Sequence, residues 1–279
     1  MTARTVDTGT PDLLAELSDG VLLITLHRPE RRNALSDNML DGLSRMLAYG
    51  EREPTVACVV LTGAAGAFCA GGDVKAFDEV GALNVSGGEQ TPLHEKIEAQ
   101  CRLQRATAGR LHDMPKPTIA CIDGAAAGAG LGLALACDLR IAAESSVLLT
   151  AFARVGLSGD YGVTWFLTRL VGKAKALELM WLSERIPATR ALQYGLVNRV
   201  TPVGEARSVA LSLAADLARG PAVALQAIKG NVNRAVDGDL LKCMDVEVAE
   251  GMRCAATEDH KAAVRAFAGN RQSGADRPA

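Results

Sequence analysis

A chain of 279 residues with 48% hydrophobic residues holds enough apolar material for one large core or two smaller ones. The formal net charge of −2 gives no electrostatic footprint for nucleic acid or an anionic membrane. Seven cysteines without a CxxC pair and four scattered histidines offer no metal-ligand spacing; they read as reduced thiols and point to a cytoplasmic protein with no metal.

In chain order, residues 1–12 are polar and predict no secretory leader, and residues 1–19 read as a loose lead-in. Residues 21–27 predict a strand. Ser36 is placed to cap a helix running to Tyr49, with Gly50 at its end and Pro54 beyond. Residues 56–61 form an apolar run that reads as a buried strand. A short helix is expected from Asp73, bearing Val74, Phe77 and Val80, and the Gly-rich stretch 81–92 reads as a lid or insertion. Residues 93–112 predict an amphipathic helix whose apolar stripe breaks at Arg105. A strand at 119–122, a helix of small residues at 129–137 and short strands at 139–142 and 147–149 follow. Two helices, 161–171 and 174–182, join at Gly172. From residue 203 helices dominate, at 203–218, 222–236, 239–253 and 258–268. This divides the chain into an alternating strand–helix region, 1–199, and a helical region, 200–279. No apolar run reaches the roughly 20 residues of a membrane helix.

Two buried strands run into turns with few bulky side chains. The first is Ala67-Phe68-Cys69-Ala70-Gly71-Gly72-Asp73 and the second is Asp123-Gly124-Ala125-Ala126-Ala127-Gly128-Ala129-Gly130. Each leaves backbone N–H groups free at a helix start, where they can hold an anionic oxygen. Two such turns converging make a candidate oxyanion hole. One acid follows, Asp160 in Gly156-Leu157-Ser158-Gly159-Asp160-Tyr161-Gly162. It precedes a helix, so it reads either as an N-cap or as a proton carrier. Arg28, Arg31 and Arg32 cluster after the first strand; guanidinium groups suit phosphate, and a solvated loop is the alternative.

Taken together, the order and spacing of several segments resemble the crotonase superfamily, the enoyl-CoA hydratase/isomerase group. They are Ile24-Thr25-Leu26-His27-Arg28-Pro29, Asn33-Ala34-Leu35, the first Gly-rich turn through Lys75, and Pro115-Lys116-Pro117. Ala134-Leu135-Ala136-Cys137-Asp138-Leu139-Arg140, Leu170-Val171-Gly172, Ala191-Leu192-Gln193-Tyr194-Gly195-Leu196-Val197 and Thr257-Glu258-Asp259-His260 complete the set.

The resemblance implies an α/β (α+β) fold, the crotonase β/β/α spiral, with a helical C-terminal region used in trimerisation, often doubled to a hexamer. It implies that the Gly72 and Ala129 N–H groups form the oxyanion hole for a thioester. It places Arg28, Arg31, Arg32, Ala34, Ala70, Asp73, Val74 and Lys75 beside coenzyme A, with Phe152 and Tyr161 at the acyl group. Coenzyme A enters as part of the substrate, and no separate cofactor is implied. The two glutamates that relatives use fall at Gly132 and Phe152, and neither residue moves a proton. Asp160 then resembles the single-aspartate branch, nearest the epoxyphenylacetyl-CoA isomerase-like enzymes. Chlorobenzoyl-CoA dehalogenases also use such an Asp; the His that activates their water corresponds to Arg105 here. The expected function is therefore isomerisation of an acyl-CoA. Hydration of a 2-enoyl-CoA and a non-catalytic acyl-CoA-binding relative remain as alternatives.

Overall fold

The computed structural model describes residues 3–73 and 91–275, with side chains to residue 266. The predicted helix after Asp73 and most of the 81–92 stretch lie outside the described residues.

Ten strands and ten helices alternate through these residues. The strands are β1 (Arg4–Thr5), β2 (Leu13–Ser18), β3 (Val21–Leu26), β4 (Cys58–Gly63), β5 (Thr118–Ile122), β6 (Ala125–Ala127), β7 (Leu139–Ala143), β8 (Val147–Leu149), β9 (Ile186–Pro187) and β10 (Arg199–Thr201). The main sheet has the order β1-β2-β3-β4-β5-β7-β10. From β3 to β10 its pairs are parallel, while β1 and β2 add antiparallel to one edge. A small second sheet has the order β6-β8-β9.

The N-terminal strands correct the expected loose lead-in. Leu13, Ala15 and Leu17 alternate with polar or exposed neighbours, and all three are buried in the core. That period of two is a strand signal, and pairing with β3 from Leu13↔Leu26 to Ser18↔Val21 makes use of it.

The apolar runs of β3, β4 and β5 are continuous because both faces of the sheet are covered. Leu22, Ile24, Leu26, Val59 and Leu61 point into one cluster with α1 (Asp37–Arg52). Val21, Leu23, Cys58 and Val60 point into a second cluster on the opposite face. Ser36 caps α1 as predicted, its Oγ accepting from Met39 N–H at 3.1 Å. The helix runs past Gly50, which is buried against Leu22 and Val59, and ends at Arg52.

Four further helices build the region around the turns. They are α2 (Leu93–Gln104), a π-helical turn at Arg105–Gly109 leading into the short α3 (Arg110–Asp113), α4 (Ala129–Ala136) and α5 (Val163–Leu182). The predicted break at Gly172 is present: its φ of 75° and ψ of 161° leave the helix there. Next come α6 (Ala188–Gln193) and α7 (Ala206–Ala218). On α7, Ala206, Ala210 and Ala214 lie at helical spacing and are buried against the second face of the sheet.

The chain divides into compact units after Ala218 rather than after residue 199. The reason is α7, whose alanine face completes the cover of the sheet. The second unit contains α8 (Ala222–Ala235), α9 (Leu240–Ala255) and α10 (Glu258–Ala275). Asp239 caps α9 by accepting from Lys242 N–H at 3.2 Å. Among the described residues no single helix is long and apolar enough to cross a membrane.

Candidate active site

The two Gly-rich turns meet, and backbone hydrogen bonds hold them together. Phe68 and Cys69 N–H both donate to Ala125 O, at 3.1 and 3.0 Å, and Ala127 N–H donates to Cys69 O at 2.9 Å. Gly71 has φ +90°, and a Cβ there would stand 2.7 Å from Ala127 O and 3.4 Å from Ala129 N. Only glycine tolerates both the angle and the approach. A Cβ on Gly130 would likewise stand 2.6–2.7 Å from Cys69 atoms. Asn33, fully buried, pins the first turn from outside: its Nδ2 donates to Ala64 O at 2.9 Å and Ala67 O at 2.8 Å.

This packing presents two donors. The first backbone bond of α4 runs from Gly132 N–H to Gly128 O at 3.1 Å, so Ala129 N–H has no partner in its own helix. Neither it nor Gly72 N–H donates to a backbone carbonyl among the described residues. Cys69 sits behind the turn, wholly buried, its sulfur accepting from Gly71 N–H at 3.4 Å. Burial pushes its thiol up to about 12, so it brings no negative charge near the donors.

Asp160 does not cap α5. Gly162 holds the N-cap position and no side chain bonds there. The carboxylate instead faces α2. Its Oδ2 accepts from Gln100 Nε2 at 3.2 Å, and its Oδ1 accepts from Gln104 Nε2 and from Tyr161 N–H, the latter at 3.0 Å. Burial raises its pKa above the ordinary carboxylate value, while the Tyr161 N–H and Gln100 pull the other way. Burial, with Asp160 beside it, also raises the Tyr161 phenol, which is neutral.

The acid and the donors are linked through α4. A Cβ on Gly132 would stand 2.7 Å from both Tyr161 Cβ and Tyr161 O. Gly132 lies three residues after Ala129, about 4.5 Å along the helix axis. The loop carrying Asp160 therefore rests on the same helix whose first N–H faces the first turn. Beside Asp160 a cavity of about 200 Å³ opens, lined by Gln104, Tyr161, Ala108, His112, Trp165 and Phe166 among others. The His112, Trp165 and Phe166 rings meet edge-to-face at 5.1–5.6 Å between centroids.

The three arginines divide. Arg28 is engaged inside the protein: Nη1 donates to Ala34 O at 2.8 Å, Nη2 pairs with Asp73 Oδ2 at 3.2 Å, and Nε lies 3.7 Å from Asp12 Oδ2. Asp12 Oδ2 in turn accepts from Ser36, the cap of α1. Arg31 is half-exposed, 4.0 Å from Asp73, and Arg32 is exposed. Ala34 is buried and Ala70 is exposed, its N–H donating to Arg32 O at 3.1 Å. Phe152 is buried beneath the second turn, its ring tip 4.0 Å from where a Gly128 Cβ would be. Val74 and Lys75 lie outside the described residues.

A family model for enoyl-CoA hydratase/isomerase matches residues 16–275. The chain belongs to the enoyl-CoA hydratase/isomerase family. It is 35% identical over 260 residues to the 1,2-epoxyphenylacetyl-CoA isomerase of Escherichia coli, covering 93% of this chain and 96% of the relative. It is 30% identical to a 4-chlorobenzoyl coenzyme A dehalogenase of an Arthrobacter species, covering 84% and 82%. The crystal structure of an enoyl-CoA hydratase from Polaromonas sp. JS666 superposes with a TM-score of 0.84 at 33% identity, covering 92% of this chain and 97% of that one. The crotonase-type fold expected from the motifs is therefore present. The family as matched here includes isomerase, hydratase and dehalogenase names, so membership by itself does not choose among the reactions.

Sequence reasoning named Gly71 and Asn33 only as members of motifs, without these roles, and missed Gln100 and Gln104. The two glutamines carried a usable signal: they are four apart, hence on one helix face, and each lies seven residues after Leu93 or Ile97, so they set polar groups into the apolar face of α2.

Proposed function

We propose that this family member isomerises an acyl-CoA, moving a proton and a double bond through a thioester enolate. The observation that supports the reading is the Gly132–Tyr161 contact, which packs the loop carrying Asp160 against the helix that begins at Ala129. The positions where relatives carry glutamates hold a glycine under that contact and a buried phenylalanine.

In this reading the thioester oxygen accepts from Gly72 and Ala129 N–H. Each fixed donor supplies on the order of 3 kcal/mol as negative charge develops on that oxygen. Asp160 takes a proton α or γ to the thioester and returns it to a different carbon. Its burial favours the neutral acid and its three N–H donors favour the anion, a balance that suits a group acting first as base and then as acid. Hydration of a 2-enoyl-CoA needs a further group to activate water, and neither Gly132 nor Phe152 supplies one. The phosphates of coenzyme A fall to Arg31 and Arg32, the members of the basic cluster open to solvent.

Assembly as a trimer or hexamer belongs to the same proposal. In the second unit Ile228 and Val232 on α8, and Leu240, Leu241, Met244, Val248 and Met252 on α9, are 51–71% exposed. An apolar surface of that extent marks an interaction face. Seven free cysteines, five of them buried, support a reducing cytoplasmic setting.

Incubation with a panel of enoyl-CoAs in D₂O tests the reading. Deuterium at C2 or C4 without a hydroxyacyl product is expected. A mass gain of one water would replace isomerase with hydratase, and binding without exchange would make the protein a non-catalytic carrier.

A further inference from the structure

We propose that Gln104 is the positioning residue for Asp160: it engages Oδ1 of the carboxylate so that Oδ2 is the oxygen that carries the substrate proton. This rests on Asp160 being the proton carrier. A carboxylate oxygen has two lone-pair positions. Oδ1 accepts from Gln104 Nε2 and from Tyr161 N–H, so both of its positions are used. Oδ2 accepts one bond among the described residues, from Gln100, and keeps one position open toward a substrate.

Gln104 is locked in this orientation. Its Oε1 accepts from Tyr161 N–H at 3.0 Å while its Nε2 donates to Asp160. Turning the amide over would set its oxygen against Oδ1 and its NH₂ against an N–H. The same contacts hold Tyr161 at φ +48°, a conformation that bulky residues rarely adopt and that persists where the surroundings impose it. The π-helical turn begins at the next residue, Arg105. Such turns re-phase a helix and are frequent at functional sites. Here Gln100 and Gln104 face Asp160 before the turn, and Thr107, Ala108 and Leu111 are buried within and after it.

Every hydrogen-bond partner of the carboxylate among the described residues is a donor, which favours the anion against the burial that favours the acid. In this proposal the resting residue is the base. The substrate C–H breaks, its electron pair passes to the enolate, and the proton goes to Oδ2. The Oδ2–H bond then breaks, a C–H forms at the second carbon, and the carboxylate is restored. Gln104 gains and loses nothing. The groups facing Asp160 are Gln100 and Gln104 from α2 and Tyr161 from its own loop. Cys69 and Asp37 act on the Tyr161 phenol, and Arg105 lines the adjoining cavity.

Two variants test this. Gln104→Met removes donor and acceptor; Gln104→Glu keeps the acceptor for Tyr161 N–H and removes the donor. Both should lower kcat about 10–100-fold with KM changed less than about threefold. Both should move the acid limb of the kcat/KM profile to higher pH, because the anion loses a donor. Gln104→Met, which sets no charge against Oδ1, should melt closer to the wild type; Gln104→Glu places a second carboxyl there, should move the acid limb further, and carries the test should Gln104→Met not fold. Unchanged kcat and an unmoved acid limb, in a protein that Asp160→Asn inactivates, would overturn the proposal. An active Asp160→Asn would instead overturn the reading beneath it.

Discussion

Gly132 lies against Tyr161 so closely that a Cβ at 132 would stand 2.7 Å from the Tyr161 carbonyl oxygen. Real Cβ atoms do not sit at that distance from a backbone atom that cannot move away. The sequence invites the idea that Gly132→Glu would restore a family carboxylate and with it hydratase activity. The structure gives the opposite expectation. Glutamate would push the Tyr161 loop off α4 and carry Asp160 with it. Gly132→Ala should cost about 1–3 kcal/mol, and Gly132→Glu at least as much. Neither should hydrate crotonyl-CoA. A folded Gly132→Glu protein with hydratase activity would contradict this, as read by melting temperature and product mass.

Asp160→Asn should keep CoA-thioester binding and lose turnover by about 10²-fold or more. Near-normal turnover would remove the single-acid mechanism.

The same residue gives stability a pH dependence. Burial raises its native pKa above the ordinary 3.8, so the folded state holds the proton over a window where the unfolded chain has released it. That contribution is full below the unfolded value and lost as pH rises through the native value. The melting temperature of Asp160→Asn relative to wild type should therefore shift in the variant's favour across that window. A difference that stays flat with pH would show that the carboxyl titrates alike in both states.

Gly71→Ala combines an unfavourable φ of +90° with a 2.7 Å approach to Ala127 O, whereas Gly66 has φ +72° and open space around it. Gly66→Ala should pay the backbone cost alone, about 1 kcal/mol. Gly71→Ala should lose more stability and also turnover, since the turns must part and the donors with them. Equal effects in the two variants would show that the approach of the turns is not constraining.

Arg28 and Arg32 should behave differently. Arg28→Ala leaves Asp12 and Asp73 without the guanidinium between them and disturbs the cap of α1, at a cost of about 1–3 kcal/mol. Arg32→Ala should leave the stability within about 0.5 kcal/mol of wild type and raise KM for CoA thioesters. Titration with coenzyme A beside thermal melts separates the two. A raised KM for Arg28→Ala at unchanged stability would reverse the assignment.

Light scattering should return three or six times the 29.1 kDa chain mass. Leu240→Glu and Val248→Glu, on the exposed face of α9, should lower that mass. A monomer at micromolar concentration would remove the proposed assembly.

The sequence alone determined which strands are buried on both faces, because a continuous apolar run such as that of residues 56–61 has nowhere polar to look. It determined the two Gly-rich turns, the capped helix after Ser36, the break at Gly172, and the lack of a carboxylate at 132 and 152. These are local properties, written in periodicity and in residue types with restricted backbones. It also carried the alternation at Leu13, Ala15 and Leu17, which became a strand only through pairing with β3. The tertiary structure alone decided which arginine is engaged, why position 132 is glycine, and what holds the acid. Gln100 and Gln104 lie 60 and 56 residues from Asp160 in the chain. No local pattern encodes a contact over that separation; it exists because α4, the π-helical turn and the 156–162 loop pack on one another.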